Sequence, residues 1–334
     1  MANEYTDFLK FIDDALELAK SIPKYFSKFS NKIYCNHQKF AIYILMQKLK
    51  TTTRGITSIL RASSDMRLQL GLTRVPVHST VVRFVQKIRR NISKVLSIRK
   101  ADTVAVDSTG FELESKSYYY RTVWNNGHKK KTRRFMKLSI AVDTENQFVL
   151  THKLRKSRTH DSKDFKFLCK KLNCNHVVAD KGYDSKDLRK FVVYELGAKP
   201  HIPYRNCSGK VKRGRFISPL PDKRIYPKRQ IVENVFFCIK RKYGSVLRNR
   251  TVATQKVELI SKLVAHNVDR MQHYLLLILG VAPAPHYTTL VKFHKRIKKQ
   301  MIDLLINQRT AKTVAVDGTG FEPCKRVITI DHME

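Results

Sequence analysis

Six side chains in this sequence have the types and spacing to do chemistry together. Asp107 lies in the β-branched run TVAVDST, Asp180 closes HVVAD, and Glu233 stands in YPKRQIVENVFFCIKRKYG with Tyr226, Arg229 and Lys240. The first two runs read as short strands, with Asp107 near the end of one and Asp180 at the end of the other. If these strands are parallel neighbours, their backbones lie about 4.8 Å apart and both carboxylates emerge at one edge of the sheet. The third stretch reads as a helix. At about 100° per residue, Tyr226, Arg229, Glu233 and Lys240 fall within roughly 60° of one another, with Val232, Val235, Phe236 and Ile239 on the opposite side. A solvated helix face also carries charges, but a hydroxyl, a guanidinium, a carboxylate and an ammonium in one line suit phosphate chemistry. Carboxylates that converge this closely repel unless a divalent cation neutralises them, and oxygen-only ligation suits Mg²⁺ or Mn²⁺. Two such ions can activate a nucleophile and stabilise the leaving oxygen of an in-line phosphodiester displacement. Arg229 and Lys240 are then suited to non-bridging phosphate oxygens.

The elements that must position these residues follow a consistent order. Up to about residue 100 the chain reads as helices. Arg54–Leu72 has apolar spacing of three and four, and TRVPVHST is a turn. Ser79 and Thr80 are good N-caps for a helix with the apolar stripe Val81, Phe84, Val85, Ile88, Ile92 and Leu96, whose other faces are basic. Helix, proline-containing turn and basic amphipathic helix resemble a helix-turn-helix reader, as any helical bundle with a basic surface also would. From Thr103 the period becomes that of strands. Met136–Thr144 and Gln147–Leu154 flank a DTEN turn as a hairpin, and Asp161–Ser162 cap a helix. Then come HVVAD, a short helix over Ser185–Leu196, a fifth strand in KPHIPYR, a basic loop to about Asp222 and the final helix. This is the element order of an α/β ribonuclease-H-like domain: a mixed five-stranded sheet with flanking helices, behind an all-helical N-terminal domain.

Charge points to the partner. The chain has 334 residues, and 66 Lys+Arg against 27 Asp+Glu give a net charge of +39. Such an excess repels itself in a compact state and suits a polyanion. Nucleic acid comes first and an anionic membrane surface second. The basic runs Lys129–Arg134, Lys153–Arg158, Lys210–Arg215 and Lys240–Gly244 are spread along the chain, which favours an extended nucleic-acid track over a membrane patch. MANEYTDFLKF has no secretory pattern, and Tyr274–Ala284 is too short to span a bilayer. Six cysteines form no CxxC pair; Cys169, Cys174 and His176 lack a fourth metal partner, so buried thiols in a reducing compartment are expected.

The pattern Tyr-x2-Arg-x3-Glu-x6-Lys, complete at Tyr226, Arg229, Glu233 and Lys240, resembles the signature of DDE transposases of bacterial and archaeal insertion sequences. VAVDSTG (Val104–Gly110) is similar to the first acidic block of that family and VVADKGYDS (Val177–Ser185) to the second. LGLTRVPVHSTVVRF (Leu70–Phe84) is like its pre-catalytic region, so the resemblance covers about residues 40 to 275. It implies Asp107, Asp180 and Glu233 as ligands of a pair of Mg²⁺ or Mn²⁺ ions, nicking at element ends, and attack of the freed 3′-OH on target DNA. It also implies a homo-oligomer on paired double-stranded ends and a cytoplasmic, nucleoid-associated protein. The loop of about 20 residues before the final helix leaves no room for an inserted β domain, so end hairpins that depend on one are in doubt. The alternative is a catalytically inactive, transposase-derived DNA-binding protein, which would have no need of clustered carboxylates. A structural RNA-binding protein explains the charge but not the acidic triad.

Other residues have two readings. Lys181 contacts phosphate or solvent, and Gly182 lets the turn fold closely. Trp124 stacks on a frayed base or packs on a hairpin. His160 bonds Asp161. Finally, TVAVDSTGFE at Thr103–Glu112 recurs as TVAVDGTGFE at Thr313–Glu322, and Ser79–Arg90 is echoed by Thr288–Lys299. The echo breaks off before a second acid or final helix. The chain is therefore expected to divide into residues 1–100, a helical DNA-binding domain, 101–275, the catalytic domain, and 276–334, an appendage. That appendage is a fused relic of a related gene, or a strand placing Asp317 in a neighbouring chain's site.

Overall fold

The β-branched run at Thr103 begins a strand longer than the sequence suggests. In the computed structural model of the chain, which describes residues 2–89, 91–96, 100–114, 135–156, 159–205, 221–278, 313–315 and 327–329, β1 spans Thr103–Leu113. It is the central strand of a mixed sheet. β2 (Phe135–Asp143) pairs antiparallel with it and β3 (Val149–Arg155) antiparallel with β2, as the hairpin reading required. On the other side β4 (His176–Ala179) runs parallel to β1, and β5 (Lys199–His201) parallel to β4. The order is β3-β2-β1-β4-β5.

The sheet has six strands rather than the expected five. β6 (Val246–Leu247) pairs parallel with the far end of β1, through Glu112↔Val246 and Leu113↔Leu247. Two residues are too few to show a period, so tertiary contacts define this strand. Lys262 donates to the carbonyls of Gly244 and Val246, both at 2.9 Å. One side of β1 is thus paired with β4 over Thr103–Val106 and with β6 over Glu112–Leu113. Between them, among the described residues, no strand lies beside Asp107–Phe111.

Alternation along β1 separates two apolar cores. Val104 and Val106 pack with Leu150, Val177 and Ala179 under α6 (Ser162–Cys169) and α7 (Lys186–Lys190). Ala105 and Phe111 face α8 (Gln230–Tyr243) and α9 (Val252–Ile278), in one cluster with Val235, Phe236, Ile239 and Leu263. Asp107 and Thr109 share the parity of Ala105 and so belong to the α8 face.

The same cluster takes in the N-terminal helices α1 (Ala2–Ala19), α2 (Asn36–Lys48), α3 (Thr53–Ala62), α4 (Ser64–Gln69) and α5 (His78–Ile88). The single stretch expected over Arg54–Leu72 is two helices. Ser63 is extended between them, and its side chain accepts from Met66 N–H, so it caps the second helix while ending the first. α5 starts at His78 after an extended Val77, putting Ser79 and Thr80 inside its first turn instead of at its cap. Its stripe is buried in full, but Ile92 sits in a 3₁₀ turn (Ile92–Val95) and Leu96 follows that turn.

The chain divides into two compact units, Met1–Leu275 and Leu276–Glu334. In the second, β7 (Thr313–Ala315) and β8 (Val327–Thr329) form an antiparallel pair. Trp124, Asp317, the echo of α5 and the basic runs 129–134 and 210–215 lie outside the described residues. No helix among the described residues is long and apolar enough to cross a membrane.

Candidate active site

Asp107 is the fifth of eleven residues in β1, not near its end as the sequence reading expected. It stands where its parallel neighbour ends. Val106↔Ala179 is the last pair between β1 and β4, and Asp180 is the next residue on β4's side. Past that point the half-buried Ser108 N–H has lost the partner a longer β4 would supply. Asp107's own Oδ1 accepts it at 2.7 Å. Asp180 opens the 3₁₀ turn Lys181–Tyr183, where its Oδ1 accepts the Gly182 N–H at 2.6 Å. A Cβ at Gly182 would stand 2.7 Å from that oxygen, so only glycine fits here without moving the carboxylate.

Burial pushes the Asp107 carboxyl up to about 6. The Ser108 N–H opposes this, Asp180 adds to it, Arg229 opposes and Asp161 adds. Asp107, Asp180, Asp161 and Arg229 therefore share one electrostatic neighbourhood. Sequence reasoning missed Asp161 there by reading it as a helix cap. It makes no cap hydrogen bond and pairs instead with Lys137 of β2. Tyr183 is buried in the same place, its hydroxyl 3.4 Å from Ser108 Oγ, and burial raises its pKa strongly. Beneath Asp107 a polar chain crosses the sheet: Ser108 Oγ donates to Ser139, Ser139 to Asp164, and Arg155 closes on Asp164 at 2.6 Å.

The final helix departs from the expected one over its first turn. Tyr226–Arg229, with Pro227 in it, is 3₁₀, and α8 starts only at Gln230, so a projection at about 100° per residue does not hold back to Tyr226. From there on the apolar face behaves as read. Val232, Val235, Phe236 and Ile239 are buried, each contributing about 1.5–3 kcal/mol. On the polar side, Arg229 Nη1 lies 2.8 Å from Glu233 Oε1. Burial alone would lower the Arg229 pKa, but the hydrogen bond and charge of Glu233 carry it upward, with Tyr226 and Asp107 adding. Lys240 turns to β1, donating to Thr109 Oγ1 at 2.6 Å and lying 5.4 Å from the Phe111 ring centre. Burial lowers its pKa, against the pull of Glu112. Lys181 is exposed beside Asp180.

The fold thus brings Asp107 and Asp180 together and leaves Glu233, half-exposed, on Arg229. Among the described residues no three His, Cys, Asp or Glu side chains gather closely enough to hold a metal ion. His160 does not bond Asp161; its Nδ1 lies 2.7 Å from Ser162 Oγ. Cys169 and Cys174 are buried free thiols, Cys174 pushed up to about 11 by burial. His176 pairs with His201 at 3.0 Å.

Residues 98–268 match the family model described as the transposase DDE domain, a span that holds Asp107, Asp180, Glu233 and all six strands of the sheet. No curated protein matches the sequence. Among solved structures, the cryo-EM structure of a piggyBac transposase synaptic complex with hairpin DNA is similar at a TM-score of 0.46 and 11% identity, covering 90% of this chain and 80% of that one.

Proposed function

The chain belongs to the transposase DDE domain family, and on that premise we propose that it binds the ends of its own insertion sequence, cleaves their strands by metal-dependent hydrolysis and joins the 3′-OH ends to target DNA. The observation that carries this reading is the juxtaposition of Asp107 and Asp180 just past the last pair of a parallel ladder, with Arg229 and Lys240 beside the same middle stretch of β1. The reading includes the finer assignments: the subgroup with the Tyr/Arg/Glu/Lys signature, a ribonuclease-H-like domain over 101–275, a helical DNA-binding domain over 1–100 and an appendage over 276–334. It also includes a homo-oligomer acting on paired double-stranded ends in the prokaryotic cytoplasm.

The donor set fits a hard divalent cation. All candidate ligands are carboxylate oxygens, and Asp107 is a half-buried acid with a like charge beside it, a combination that a bound cation relieves. Asp107 and Asp180, with Glu233, would hold Mg²⁺ or Mn²⁺, two ions in the full site, which when bound lower the pKa of water and stabilise charge on the leaving oxygen. The protein's own residues do the rest. Arg229 and Lys240 grip non-bridging oxygens of the scissile phosphate and fix it for in-line attack. Tyr226 and Lys181 flank that phosphate. Water is the nucleophile for cleavage and a sugar hydroxyl for joining, so no residue forms a covalent bond to DNA.

One observation favours a second reading, a DNA-binding protein without cleavage activity: Glu233 is engaged by Arg229 rather than gathered with the two aspartates. A plasmid carrying the native element ends, incubated with the full chain and Mg²⁺, separates the two. The active reading expects strand cleavage by the wild type. It also expects Asp107→Ala, Asp180→Ala and Glu233→Ala each to lose more than the ~10- to 100-fold that outer-sphere partners of a metal cost, with DNA retardation on gels nearly unchanged. Retardation without any cleavage by the wild type overturns the active reading in favour of the second.

A further inference from the structure

After β5 the chain comes back against the turn that Asp180 opens, and Arg205 fastens onto it through backbone and side chain alike. Its backbone N–H donates to Asp184 Oδ2 at 2.8 Å. Its guanidinium donates to two successive carbonyls of the 3₁₀ turn, Nε to Lys181 at 3.0 Å and Nη2 to Gly182 at 2.8 Å. The rigid fork of an arginine suits two acceptors held side by side, as a lysine ammonium on its flexible stem does not.

The stretch that carries Arg205 is itself held. Asp184, almost fully buried, uses its other oxygen, Oδ1, to accept Arg189 Nε at 3.1 Å and Nη2 at 3.0 Å. Arg189, in α7, also donates to the Ile202 carbonyl at 2.6 Å and lies 4.0 Å from the Tyr204 ring centre. A closed ring of contacts thus runs from the turn through Asp184 and Arg189 to Ile202, Tyr204 and Arg205, and back to the turn. Arg205 acts from a fixed base.

The Lys181 carbonyl and the Gly182 N–H belong to one planar peptide unit and point in opposite directions. One end of that unit accepts Arg205 Nε, and the other donates to Asp180 Oδ1 at 2.6 Å. A cation, a peptide dipole and a carboxylate therefore stand in line, and hydrogen bonds in such a chain strengthen one another. Without the guanidinium the unit is free to turn over, because glycine at its far end takes either sign of φ readily. Turned over, it would aim the Lys181 carbonyl at the Asp180 carboxylate and leave Oδ1 without its donor.

We infer that Arg205 is a positioning residue for Asp180: by holding the Lys181–Gly182 peptide in this orientation, it fixes the carboxylate that receives the cation. This rests on the reading of Asp107 and Asp180 as metal ligands. Arg205 acts through the turn and not on the phosphate. An arginine present for charge alone would have no need of a fork on two carbonyls.

The test uses the full chain without DNA. Mn²⁺ affinity is read by electron paramagnetic resonance, and the Gly182 amide by deuterium exchange in the absence of metal. Arg205→Ala should bind Mn²⁺ about tenfold or more weakly, as loss of a partner that orients a ligand does. Its Gly182 amide should exchange about tenfold faster, the effect of losing one charge-assisted hydrogen bond, while amides inside β4 keep their wild-type rates. Arg205→Lys, which keeps the charge but not the fork, should fall between. Arg250→Ala, at an exposed arginine outside this ring, controls for lost charge and should match the wild type. Equal Mn²⁺ binding by Arg205→Ala and the wild type overturns the inference and leaves the metal reading standing. Faster exchange throughout β4 also overturns it, since Arg205 would then hold the sheet and not the turn. A wild type that binds no Mn²⁺ overturns the metal reading, and this inference with it.

Discussion

Arg229 and Glu233 stand 2.8 Å apart, across the junction of the 3₁₀ turn Tyr226–Arg229 with α8, while the guanidinium also lies within the field of Asp107. One cation therefore serves two carboxylates that belong to different elements. The pair is partly solvated, so its own contribution to stability is small, about 0.3–0.5 kcal/mol for an i,i+4 pair. A double-mutant cycle with Arg229→Ala and Glu233→Gln should return a coupling of that size from urea unfolding, and a much larger coupling from cleavage rates. Similar couplings in both would make the pair a surface ornament of the helix.

Lys240 is expected to act on the phosphate from the platform Thr109 gives it. Lys240→Ala should lower cleavage more than DNA affinity, because losing one phosphate contact from so basic a chain changes the salt slope by only about 1. Thr109→Val, which removes the 2.6 Å acceptor but keeps the charge, should show the same pattern in milder form. A parallel fall in affinity and cleavage would reduce Lys240 to general grip.

Gly182→Ala is expected to damage the chemistry out of proportion to the fold. The new methyl would displace the Asp180 carboxylate and break its bond to the residue 182 N–H. The stability cost should be that of one hydrogen bond, about 1 kcal/mol. Mn²⁺ affinity, followed by electron paramagnetic resonance, should fall clearly. Unchanged Mn²⁺ binding in a folded variant would separate the turn from the site.

His266 should impose an acid limit on stability. Burial lowers its pKa to about 4; its hydrogen bond to the Gln147 carbonyl opposes this, Arg270 and Lys242 add to it and Asp269 opposes. The folded value lies below the unfolded one, so the native state binds fewer protons between about pH 6.5 and 4. Stability attributable to this group is therefore full above that window and is lost as pH falls through it, by on the order of 3 kcal/mol. His266→Gln, which can still donate to the carbonyl, should lose less stability between pH 7 and 4.5 in urea titrations. An identical loss in both proteins would place the acid sensitivity elsewhere.

The doubled phrase is expected to be dispensable. Stopping the chain near Gly280 and, separately, replacing Asp317 by alanine should each leave cleavage of the element ends intact. Loss of activity in a folded Asp317→Ala protein would show that the second copy of the phrase serves a working site.

What the sequence disclosed was set by period and length. The hairpin β2–β3 and the buried face of α8 were legible because β-branched alternation and helical spacing each run over several residues. β6 was not, since two residues carry no period and a lysine from α9 fixes them. Ser63 was hidden inside a continuous apolar rhythm, although a serine at a break is a capping signal. Pro227 was the clue that Tyr226–Arg229 would wind more tightly than the helix after it. The acidic blocks gave Asp107 and Asp180 their places, whereas the i,i+4 spacing of Arg229 and Glu233, itself an ion-pair signal, was read only as a shared line facing phosphate. Asp161 shows the converse: an acid beside a helix start looks like a cap until Lys137 claims it from another strand.

The interruption beside the middle of β1 changes how that strand breathes. In a central strand the middle amides are usually the slowest to exchange with solvent. Here the two ends are fastened, by β4 and by β6, while the Ser108 amide depends on a single carboxylate oxygen of its neighbour. Anything that competes for that oxygen, a proton or a cation, loosens one amide at the heart of the sheet. Deuterium uptake at Ser108 is thus a built-in gauge of what Asp107 is holding, readable before any strand of nucleic acid is broken.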